Sequence, residues 1–337
     1  MGDKETSKDK AAGKYWIGFD LGGTKMMATL YDAKFTPIGR ARKKTRPHEG
    51  LERGMERIVK TIHEALQEAK VDAQGLAGIG IGTPGPLDLD RGVILATPNL
   101  GWKNVNLKGT LEKTFGCPAV VLNDVDAGVY GEFRFGAGRG ARCVVGIFPG
   151  TGIGGGCVYE GKIIRGRTNS VLEIGHMQVM PQGPLCGCGR RGCLEAVSSR
   201  LAISTAAAAA AYRGEAPTLL ANVGMDLSNI GSNALAASVQ GGDKAVEKII
   251  RLAAQWYGVA AGNIVNLLGP DVIVLGGGLV AAMPKLIRDE VEKAARDRVM
   301  PSFADIYQIV VAELGDDANS LGAAAWAHTL ITESWTE

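Results

Sequence analysis

The sequence predicts an α/β protein of two domains, and two observations support that prediction. The first is the length of 337 residues, since a domain usually takes up ~150 residues. The second is a repeated order, in which an apolar strand, a turn rich in Gly and Thr, and a second strand occur near residue 20 and again near residue 150. We therefore expect a duplicated fold, with one domain over residues 14–135, another over residues 136–337, and a disordered tail at residues 1–13.

Composition excludes several classes of function. Hydrophobic residues make up 46 % of the chain and charged residues 21 %, which is enough for a sizeable core. The net charge of +2 gives no basis for binding nucleic acid or a membrane surface, and no apolar run reaches the 18 residues of a membrane span. No secretory segment is recognisable at the N-terminus, so the six cysteines are expected in a reducing, cytoplasmic environment.

The first repeated segment begins with a predicted buried strand over residues 15–20. It continues into a turn made of Gly22, Gly23, Thr24 and Lys25. The amides of such a turn, together with the threonine hydroxyl, can hold phosphate oxygens. The turn is not a Walker A loop, because a returning strand follows it rather than a helix. An ordinary tight hairpin would explain the same residues, so both interpretations stay open.

The second repeated segment has the same order. A strand over residues 143–148 leads into a turn that contains Gly150, Thr151, Gly152 and Gly154. A single Gly-rich loop is weak support for phosphate binding, but two equivalent turns could hold one polyphosphate from both sides.

Polar residues follow three predicted strands. Gly85 lies in a Gly/Pro-rich stretch after the strand at residues 76–81, which indicates either a cleft wall or a plain turn. Asn99 could hydrogen-bond a hydroxylated ligand or cap a turn. Asn123 and Asp124 follow the strand at residues 119–122, where Asp124 is either a helix N-cap or a general base facing a cleft.

Later segments are less informative. The cation-rich stretch at residues 40–46 predicts a solvated edge strand, and residues 214–232 predict a loop or short turns. The strand at residues 271–275 ends in Gly276, Gly277 and Gly278, which would let a flat ring or a phosphate lie against backbone. A small-residue helix at residues 319–330 is expected to close the second domain.

A candidate metal site lies between residues 173 and 195. The four residues that could ligate an ion are His176, Cys186, Cys188 and Cys193. Three thiolates and one imidazole form a complete tetrahedral set for structural zinc, and glycines at 187, 189 and 192 would let the short loop fold onto it. Glu173 and Glu195 flank the set, either as functional carboxylates or as solvated acids. The other cysteines, at positions 117, 143 and 157, are expected as small core residues.

Several motifs together resemble the ROK family of sugar kinases and regulators. They are EIGH at 173–176, CGCGRRGCLE at 186–195, DLGGTK at 20–25, GTPGPLD at 82–88, LND at 122–124, GTGIGGG at 150–156 and LGGG at 275–278. Within the family, NLGWKNV at 99–105 and GEFRFGAGRG at 131–140 are most similar to bacterial glucokinases. The resemblance implies a two-domain, actin-like ATPase (ribonuclease H-like) sugar-kinase fold with an interdomain cleft.

The resemblance also implies a role for each motif. Asp124 would take the proton from the sugar 6-hydroxyl, while Asn123, Asn99 and the backbone at Gly85 would hold ring hydroxyls. The anomeric end of the sugar would be held by Glu173, His176 and Glu195, with His176 oriented by the zinc. Both Gly/Thr turns would hold the ATP phosphates with Mg²⁺, and the glycines at 276–278 would lie near the adenosine. Pro86 and Pro149 depart from the family pattern beside two of these loops.

Three functions are consistent with the sequence. The favoured one is an ATP-dependent glucokinase. The alternatives are a kinase for N-acetylglucosamine, N-acetylmannosamine or another hexose, and a sugar-sensing transcriptional regulator. A regulator would need a DNA-binding module of about 60–80 residues, whereas about fourteen residues precede the first strand. A homodimer is a family-level expectation, and the phosphoryl donor could be ATP or polyphosphate.

Overall fold

The computed structural model describes residues 14–97, 99–167 and 171–333, so the predicted tail at residues 1–13 lies outside the described part. The strands are β1 (Tyr15–Leu21), β2 (Lys25–Tyr31), β3 (Pro37–Lys44), β4 (Leu76–Thr83), β5 (Leu87–Asp88), β6 (Val93–Thr97), β7 (Trp102–Asn106), β8 (Ala119–Asn123), β9 (Cys143–Pro149), β10 (Ile153–Tyr159), β11 (Lys162–Ile163), β12 (Val272–Leu275) and β13 (Gln308–Val311). The helices are α1 (Gly50–Ala69), α2 (Leu107–Phe115), α3 (Asp124–Phe135), α4 (Leu194–Ser198), α5 (Arg200–Tyr212), α6 (Pro217–Val223), α7 (Ser232–Gln240), α8 (Lys244–Leu268), α9 (Gly278–Ala282), α10 (Pro284–Arg296) and α11 (Ala318–Thr332).

The first unit is built on a five-stranded sheet in the order β3-β2-β1-β4-β8. β3, β2 and β1 pair antiparallel, whereas β1, β4 and β8 pair parallel. In the parallel part Asp20 is level with Gly82, and Thr83 is level with Asn123. The carboxyl ends of these three strands therefore lie at one edge of the sheet, where open α/β sheets bind their ligands.

The second unit contains a sheet in the order β11-β10-β9-β12-β13. Its pairings repeat those of the first sheet, two antiparallel followed by two parallel. The structure thus confirms the duplicated fold that the two Gly/Thr turns predict.

Amphipathic helices cover both sheets. α1 lies against β2 and β3, and it buries Ile58, Ile62, Ala65 and Leu66 along one face. Burying each large aliphatic side chain contributes about 1.5–3 kcal/mol. In the second unit α8 packs on α10, and the contact is close because Gly258 faces Ala294: an added Cβ would lie 2.5 Å from that of Ala294. Among the described residues, no helix has the length and apolar content to cross a bilayer.

The expected domain division is wrong at the C-terminal end of the chain. Residues 132–166 and 171–316 belong to the second unit, but the chain from residue 317 onward, including α11, belongs to the first. The reason is a glycine surface on the first sheet. An added Cβ on Gly18 or Gly80 would lie within 2 Å of a carbonyl oxygen of α11, so only glycine allows the helix to approach this closely. A small-residue helix such as α11 fits that surface.

The cation-rich stretch at residues 40–46 does overlap an edge strand, because β3 is the outermost strand of its sheet. The prediction of a loop or short turns at 214–232 is wrong in part, since residues 217–223 form α6 with a proline in its first turn. A proline at that position is compatible with a helix because the first-turn N–H groups have no intrahelical acceptor.

Candidate active site and metal centre

In the first unit, Asn123 and Asp124 lie where β8 ends and α3 begins. The Asn123 Oδ1 accepts hydrogen bonds from the N–H groups of Val125 (2.9 Å) and Asp126 (3.3 Å), so Asn123 caps the helix. The interpretation of Asp124 as the N-cap is therefore wrong, because Asp124 is already the first helical residue. This leaves the functional interpretation of Asp124 at the carboxyl edge of the sheet.

The environment of Asp124 suits a general base. Burial raises the pKa of its carboxyl above the ordinary value, although a hydrogen bond from the Val125 N–H (3.0 Å) partly offsets the effect. A carboxylate with a raised pKa is a stronger base when it is ionised, which favours removal of a proton from a hydroxyl.

The Gly22–Lys25 turn directly follows β1 in the same unit. Within the turn, the Gly22 N–H donates to the Lys25 carbonyl (3.0 Å). Outside it, the Thr45 N–H donates to the Thr24 carbonyl, and the Thr45 hydroxyl donates to the Gly22 carbonyl. Within the described part of the chain, the N–H groups of Gly23 and Thr24 have no backbone acceptor, so they are available to an anion.

Asn99 lies directly against this turn. A Cβ added to Gly23 would be 3.2 Å from the Asn99 Cβ, so the structure brings Asn99 and the first Gly/Thr turn together. Gly85 follows Thr83, the last residue of β4, by two positions, and Thr83 pairs with Asn123. Gly85 thus leaves the same edge of the sheet.

Sequence reasoning missed Asp20. Its carboxylate lies near the end of β1, two residues before the Gly/Thr turn, and accepts a hydrogen bond from Asn319 Nδ2 of α11 (2.7 Å). An acidic residue near the end of a buried strand is a signal that the sequence already contained. Carboxylate oxygens are the ligands that Mg²⁺ prefers, so Asp20 fits a metal-bound phosphate at the adjacent turn.

In the second unit, the Gly150–Gly154 turn is tight. The Gly150 N–H donates to the Gly152 carbonyl (2.7 Å), and Gly154 is already part of β10. The exposed Thr151 is at the tip of the turn, between the two strands. Pro149 ends β9 opposite Ile153, so it closes the strand pair without interrupting the turn.

Arg200 is a second residue that sequence reasoning missed. Its backbone N–H donates to the Gly150 carbonyl (2.9 Å), and its side-chain Nη2 donates to the Thr151 Oγ1 (2.6 Å). Among the described residues, no carboxylate lies within ion-pair distance of Arg200. The sequence gives no signal for it, because a single arginine at the start of a helix is typical of any protein surface.

The predicted adenosine-binding glycines lie beside this turn but also have a structural reason. A Cβ on Gly276 would lie 2.8 Å from the Phe148 ring, and one on Gly277 would lie 2.5 Å from the Pro149 carbonyl oxygen. Gly277 also has a φ of 84°, which favours glycine. These two glycines are thus required by packing against β9, whereas Gly278 begins the short helix α9.

The four predicted metal ligands converge. The ligand atoms of His176, Cys186, Cys188 and Cys193 all lie within 4.8 Å of one another. The Cys188 and Cys193 sulfurs are 3.7 Å apart, and the Cys186 sulfur is 3.6 Å from His176 Nδ1. A tetrahedral zinc site requires about 3.8 Å between two sulfurs and about 3.6 Å between sulfur and nitrogen, so the set fits such an ion.

Two of the three loop glycines explain how the cysteines converge. Gly189 and Gly192 have φ values of 83° and 72°, and a Cβ on Gly192 would collide with the Met180 carbonyl oxygen. Gly187 does not have a positive φ. Backbone bonds from Val179 and Met180 to the Gly192 carbonyl fix the loop against the preceding segment.

The pKa values of two cysteines in the cluster are shifted in opposite directions. A hydrogen bond from the Arg190 N–H lowers the pKa of the Cys188 thiol, whereas burial raises the pKa of Cys193 to about 12. Without a cation, three neighbouring thiolates would repel one another. A bound divalent ion would hold all three in the thiolate form that ligates metals.

Glu195 connects the metal cluster to the second Gly/Thr turn. Its Oε2 accepts a hydrogen bond from the Ile153 N–H (3.0 Å), and its Oε1 lies 3.8 Å from the Cys186 sulfur. A Cβ on Gly152 would lie 2.4 Å from Oε2, so the turn and the carboxylate are in direct contact. Glu173 is exposed and immediately precedes the short helix Ile174–His176, whose last residue is the histidine of the predicted metal site.

The predicted residues therefore form one group in each unit. The first contains the Gly22–Lys25 turn with Asn99, and the edge carrying Asn123 and Asp124. The second contains the Gly150–Gly154 turn with Glu195, the metal ligands and the glycines at 276–278. The assembly of both groups around one sugar and one nucleotide stays a prediction.

Comparison with known proteins identifies the family. The model of the ROK family matches residues 16–330. The glucokinase of Thermotoga maritima is 34 % identical over 92 % of this chain and 96 % of its own. The xylose repressor of Bacillus subtilis is 26 % identical, and the match covers 94 % of this chain but 77 % of the repressor.

A solved structure extends the comparison to the fold. The ROK family glucokinase from Streptomyces griseus, solved in complex with glucose and AMPPNP, has a TM-score of 0.80 and 32 % sequence identity. The match covers 94 % of this chain and 99 % of that one. The predicted actin-like sugar-kinase fold is thereby confirmed, and the chain belongs to the ROK family.

Proposed function

We propose that this protein is an ATP-dependent hexose kinase that phosphorylates glucose at the 6-hydroxyl. The observation that carries the proposal is Asp124, a carboxylate of raised pKa at the carboxyl edge of a parallel sheet. Similarity to the Thermotoga maritima glucokinase over nearly the whole chain supports the choice of sugar and reaction.

In this proposal Asp124 accepts the proton of the sugar hydroxyl as its oxygen attacks the γ-phosphorus of ATP. The bond between that phosphorus and the β,γ-bridging oxygen breaks, and ADP leaves. Phosphoryl transfer leaves little covalent work to the protein, so the residues act by positioning and by stabilising charge. Asn99, Asn123 and the backbone at Gly85 hold ring hydroxyls, and Glu173, His176 and Glu195 hold the anomeric end.

Both Gly/Thr turns are proposed to hold the ATP phosphates. The N–H groups of Gly23 and Thr24 supply donors from the first turn, and Thr151 with Arg200 supplies donors from the second. Mg²⁺, when bound with ATP, would neutralise phosphate charge, and Asp20 is the carboxylate placed to hold it. The glycines at 276–278 would lie near the adenosine.

We assign the His176, Cys186, Cys188 and Cys193 cluster to structural zinc. The interatomic distances support this assignment, since they match the edges of a tetrahedron of that size. Zinc would supply a fixed point that orients the His176 ring and the loop behind it. Glu195 would then hold the Gly150–Gly154 turn in place through the hydrogen bond that it accepts from the Ile153 N–H.

A panel of sugars tests the proposal. Turnover with ATP and magnesium is measured for glucose, mannose, N-acetylglucosamine and N-acetylmannosamine, and then repeated with polyphosphate in place of ATP. We expect the largest kcat/KM for glucose with ATP. If an acetylated sugar is phosphorylated while glucose is inert, the assignment of the substrate is wrong.

A sugar-sensing regulator is the second candidate, because the match to the Bacillus subtilis xylose repressor covers nearly all of this chain. The regulator would be favoured if the protein binds glucose but phosphorylates no sugar with either ATP or polyphosphate. A homodimer is the assembly we propose for either function, and light scattering on the purified protein measures it.

A further inference from the structure

A pocket lined by cations lies in the first unit, between the end of β3 and the outer face of α1. Its volume is about 590 Å³, which is within the roughly 300–1,000 Å³ of small-molecule sites. The lining residues are Lys43, Lys44, Arg46, Glu49, Arg53, Glu56, Arg57 and Lys60. None of these residues belongs to the proposed sugar or ATP sites. We call this feature the cationic pocket.

The cationic pocket concentrates positive charge. It has six cations and two carboxylates, a surplus of four cations, although the net charge of the whole chain is only +2. The rest of the chain is therefore net negative. A surface usually intersperses both signs, because like charges held together repel one another. The segregation indicates a surface that meets an anion.

Both carboxylates of the lining already form ion pairs with arginines of the pocket. Glu49 pairs with Arg57 and with Arg46, and Glu56 pairs with Arg53. Lys43 pairs with Glu64, which is outside the pocket lining. The structure shows no carboxylate within ion-pair distance of Lys44 or Lys60 among the described residues. These two exposed ammonium groups carry two of the four surplus charges, and Glu64 offsets a third through its pair with Lys43.

Part of the cationic pocket is built rigidly. The Arg57 side chain is only 16 % exposed, and its Nη1 donates to the Thr45 carbonyl (2.6 Å). Arg46 has a φ of 51°, in the left-handed region that a non-glycine residue rarely adopts. The surrounding structure must hold a residue in such a conformation in place.

A chain of hydrogen bonds joins the cationic pocket to the first Gly/Thr turn. Arg57 donates to the Thr45 carbonyl, and the Thr45 N–H and Oγ1 donate to the carbonyls of Thr24 (2.9 Å) and Gly22 (2.6 Å). A ligand that moves Arg57 would therefore shift the backbone of the turn.

We propose that the cationic pocket binds an anion with two or more phosphate groups, and that its occupancy changes the affinity of the Gly22–Lys25 turn for ATP. Guanidinium groups match phosphate oxygens in a two-pronged geometry. A single phosphate group carries about −1.5 to −2 charges at pH 7, so at least two are needed to match the three positive charges that remain once Glu64 pairs with Lys43. The lining contains no aromatic side chain on which bases could stack, which disfavours single-stranded nucleic acid.

Inorganic tripolyphosphate is the probe, titrated calorimetrically without magnesium at constant ionic strength. The pocket variant is R53Q/K60Q, and the matched control is K293Q/R296Q on α10. Both variants remove two exposed cations from one helix, and Arg53 and Arg296 each pair with a glutamate of their own helix. Circular dichroism and thermal melting verify that both variants fold.

We expect the wild type and the control to bind one more tripolyphosphate than the pocket variant, or to bind it at least about tenfold more tightly. Any tripolyphosphate that occupies the proposed ATP turns is retained in all three proteins, because residues 53 and 60 are not part of them. Equal stoichiometry and affinity in all three proteins would overturn the site. Orthophosphate binding as tightly as tripolyphosphate, or a single-stranded oligonucleotide binding more tightly, would overturn the ligand class.

The effect on ATP rests on the proposed kinase function and is tested separately. Tripolyphosphate at a concentration that fills the pocket should shift the KM for ATP more in the wild type and the control than in R53Q/K60Q. The same shift in all three proteins would overturn the coupling and leave the binding result unaffected. If the protein proves not to be a kinase, the calorimetric test still decides the site.

Discussion

The two five-stranded sheets share strand order and pairing, yet the strands that lead into the two Gly/Thr turns end differently. In β1 the residue two positions before Gly22 is Asp20, and in β9 the residue two positions before Gly150 is Phe148. Asp20 accepts a hydrogen bond from Asn319, whereas the Phe148 ring packs against Gly276. One turn is thus preceded by a carboxylate that can hold a metal ion, and the other by an aromatic ring that cannot.

The two units share one sheet topology but supply different kinds of candidate functional residue. The first unit supplies the carboxylates proposed for chemistry, Asp20 and Asp124. The second supplies residues that we propose to position the substrates and balance charge, namely Glu195, Arg200 and the proposed metal ligands. The shared sheet places a turn at the same location in both units, while the chemistry comes from residues that have no counterpart in the other half.

The largest effect is expected from Asp124→Asn in the first unit. Loss of the general base should lower kcat by about 10²–10⁴-fold, while glucose still binds, because the amide retains the shape of the carboxyl. Steady-state kinetics and calorimetric glucose binding measure the two effects. Asp126→Asn, two residues along the same helix, is the matched control and should keep near-normal kcat. Wild-type turnover in Asp124→Asn would remove this residue from the mechanism.

In the second unit, Cys188→Ser should release the metal and damage folding and sugar binding together. Losing a ligand removes a thiolate from the tetrahedral set, and we expect the KM for glucose to rise about 10–100-fold. Elemental analysis of zinc per chain, thermal melting and kinetics are the measurements. Cys117→Ala, at a buried cysteine outside the cluster, should keep its zinc. Unchanged metal content in Cys188→Ser would contradict the four-ligand set.

Matched substitutions compare the two turns directly. In Gly152→Ala the new Cβ would lie 2.4 Å from the Glu195 Oε2, so the carboxylate must leave its bond to Ile153. Since a bond to a charged group contributes about 1.5–3 kcal/mol, we expect the KM for glucose to rise about tenfold or more. In Gly23→Ala the nearest atom is the Asn99 Cβ at 3.2 Å, which needs only a small shift, and about a two- to threefold effect is expected. The opposite order would mean that Glu195 does not hold the sugar.

The last comparison concerns Arg200, which donates to Thr151 at the tip of the second turn. Arg200→Gln should raise the KM for ATP by up to about tenfold, with little change in glucose binding, because a cation near the phosphates is lost. Arg200→Lys should restore part of the affinity, which a purely structural role would not predict. Arg213→Gln, at the other end of α5, is the control. Equal KM values for ATP in all three variants would exclude Arg200 from the nucleotide site.

The sequence predicted the duplicated turns and the metal ligands because both depend on local spacing. Three cysteines and a histidine within eighteen residues can reach one ion whatever the rest of the fold does, and the structure places their ligand atoms together. Asp124 was located at the end of β8 for a similar reason, since a strand followed by a helix fixes where the intervening residues lie.

Features that depend on tertiary packing were beyond the sequence. The helix α11 was assigned to the wrong unit because its small residues do not show which sheet it covers, and only the glycines at 18 and 80 of the opposing strands reveal the partner. Arg200 and Thr151 are 49 residues apart, so no local pattern connects them. The glycines at 276 and 277 suggested a ligand, whereas the structure shows that packing against Phe148 and Pro149 already requires them.

The most direct test of the central claim, that Asp124 is the base, is the pH dependence of kcat/KM for glucose. Only the ionised carboxylate can accept a proton, so the rate should rise with pH through the pKa of Asp124. Because burial disfavours the charged form, that pKa is raised, and the acid limb should lie above the ordinary aspartate value of 3.8. We predict this limb in the wild type and its disappearance from the residual activity of Asp124→Asn. The same limb in both proteins would contradict the account.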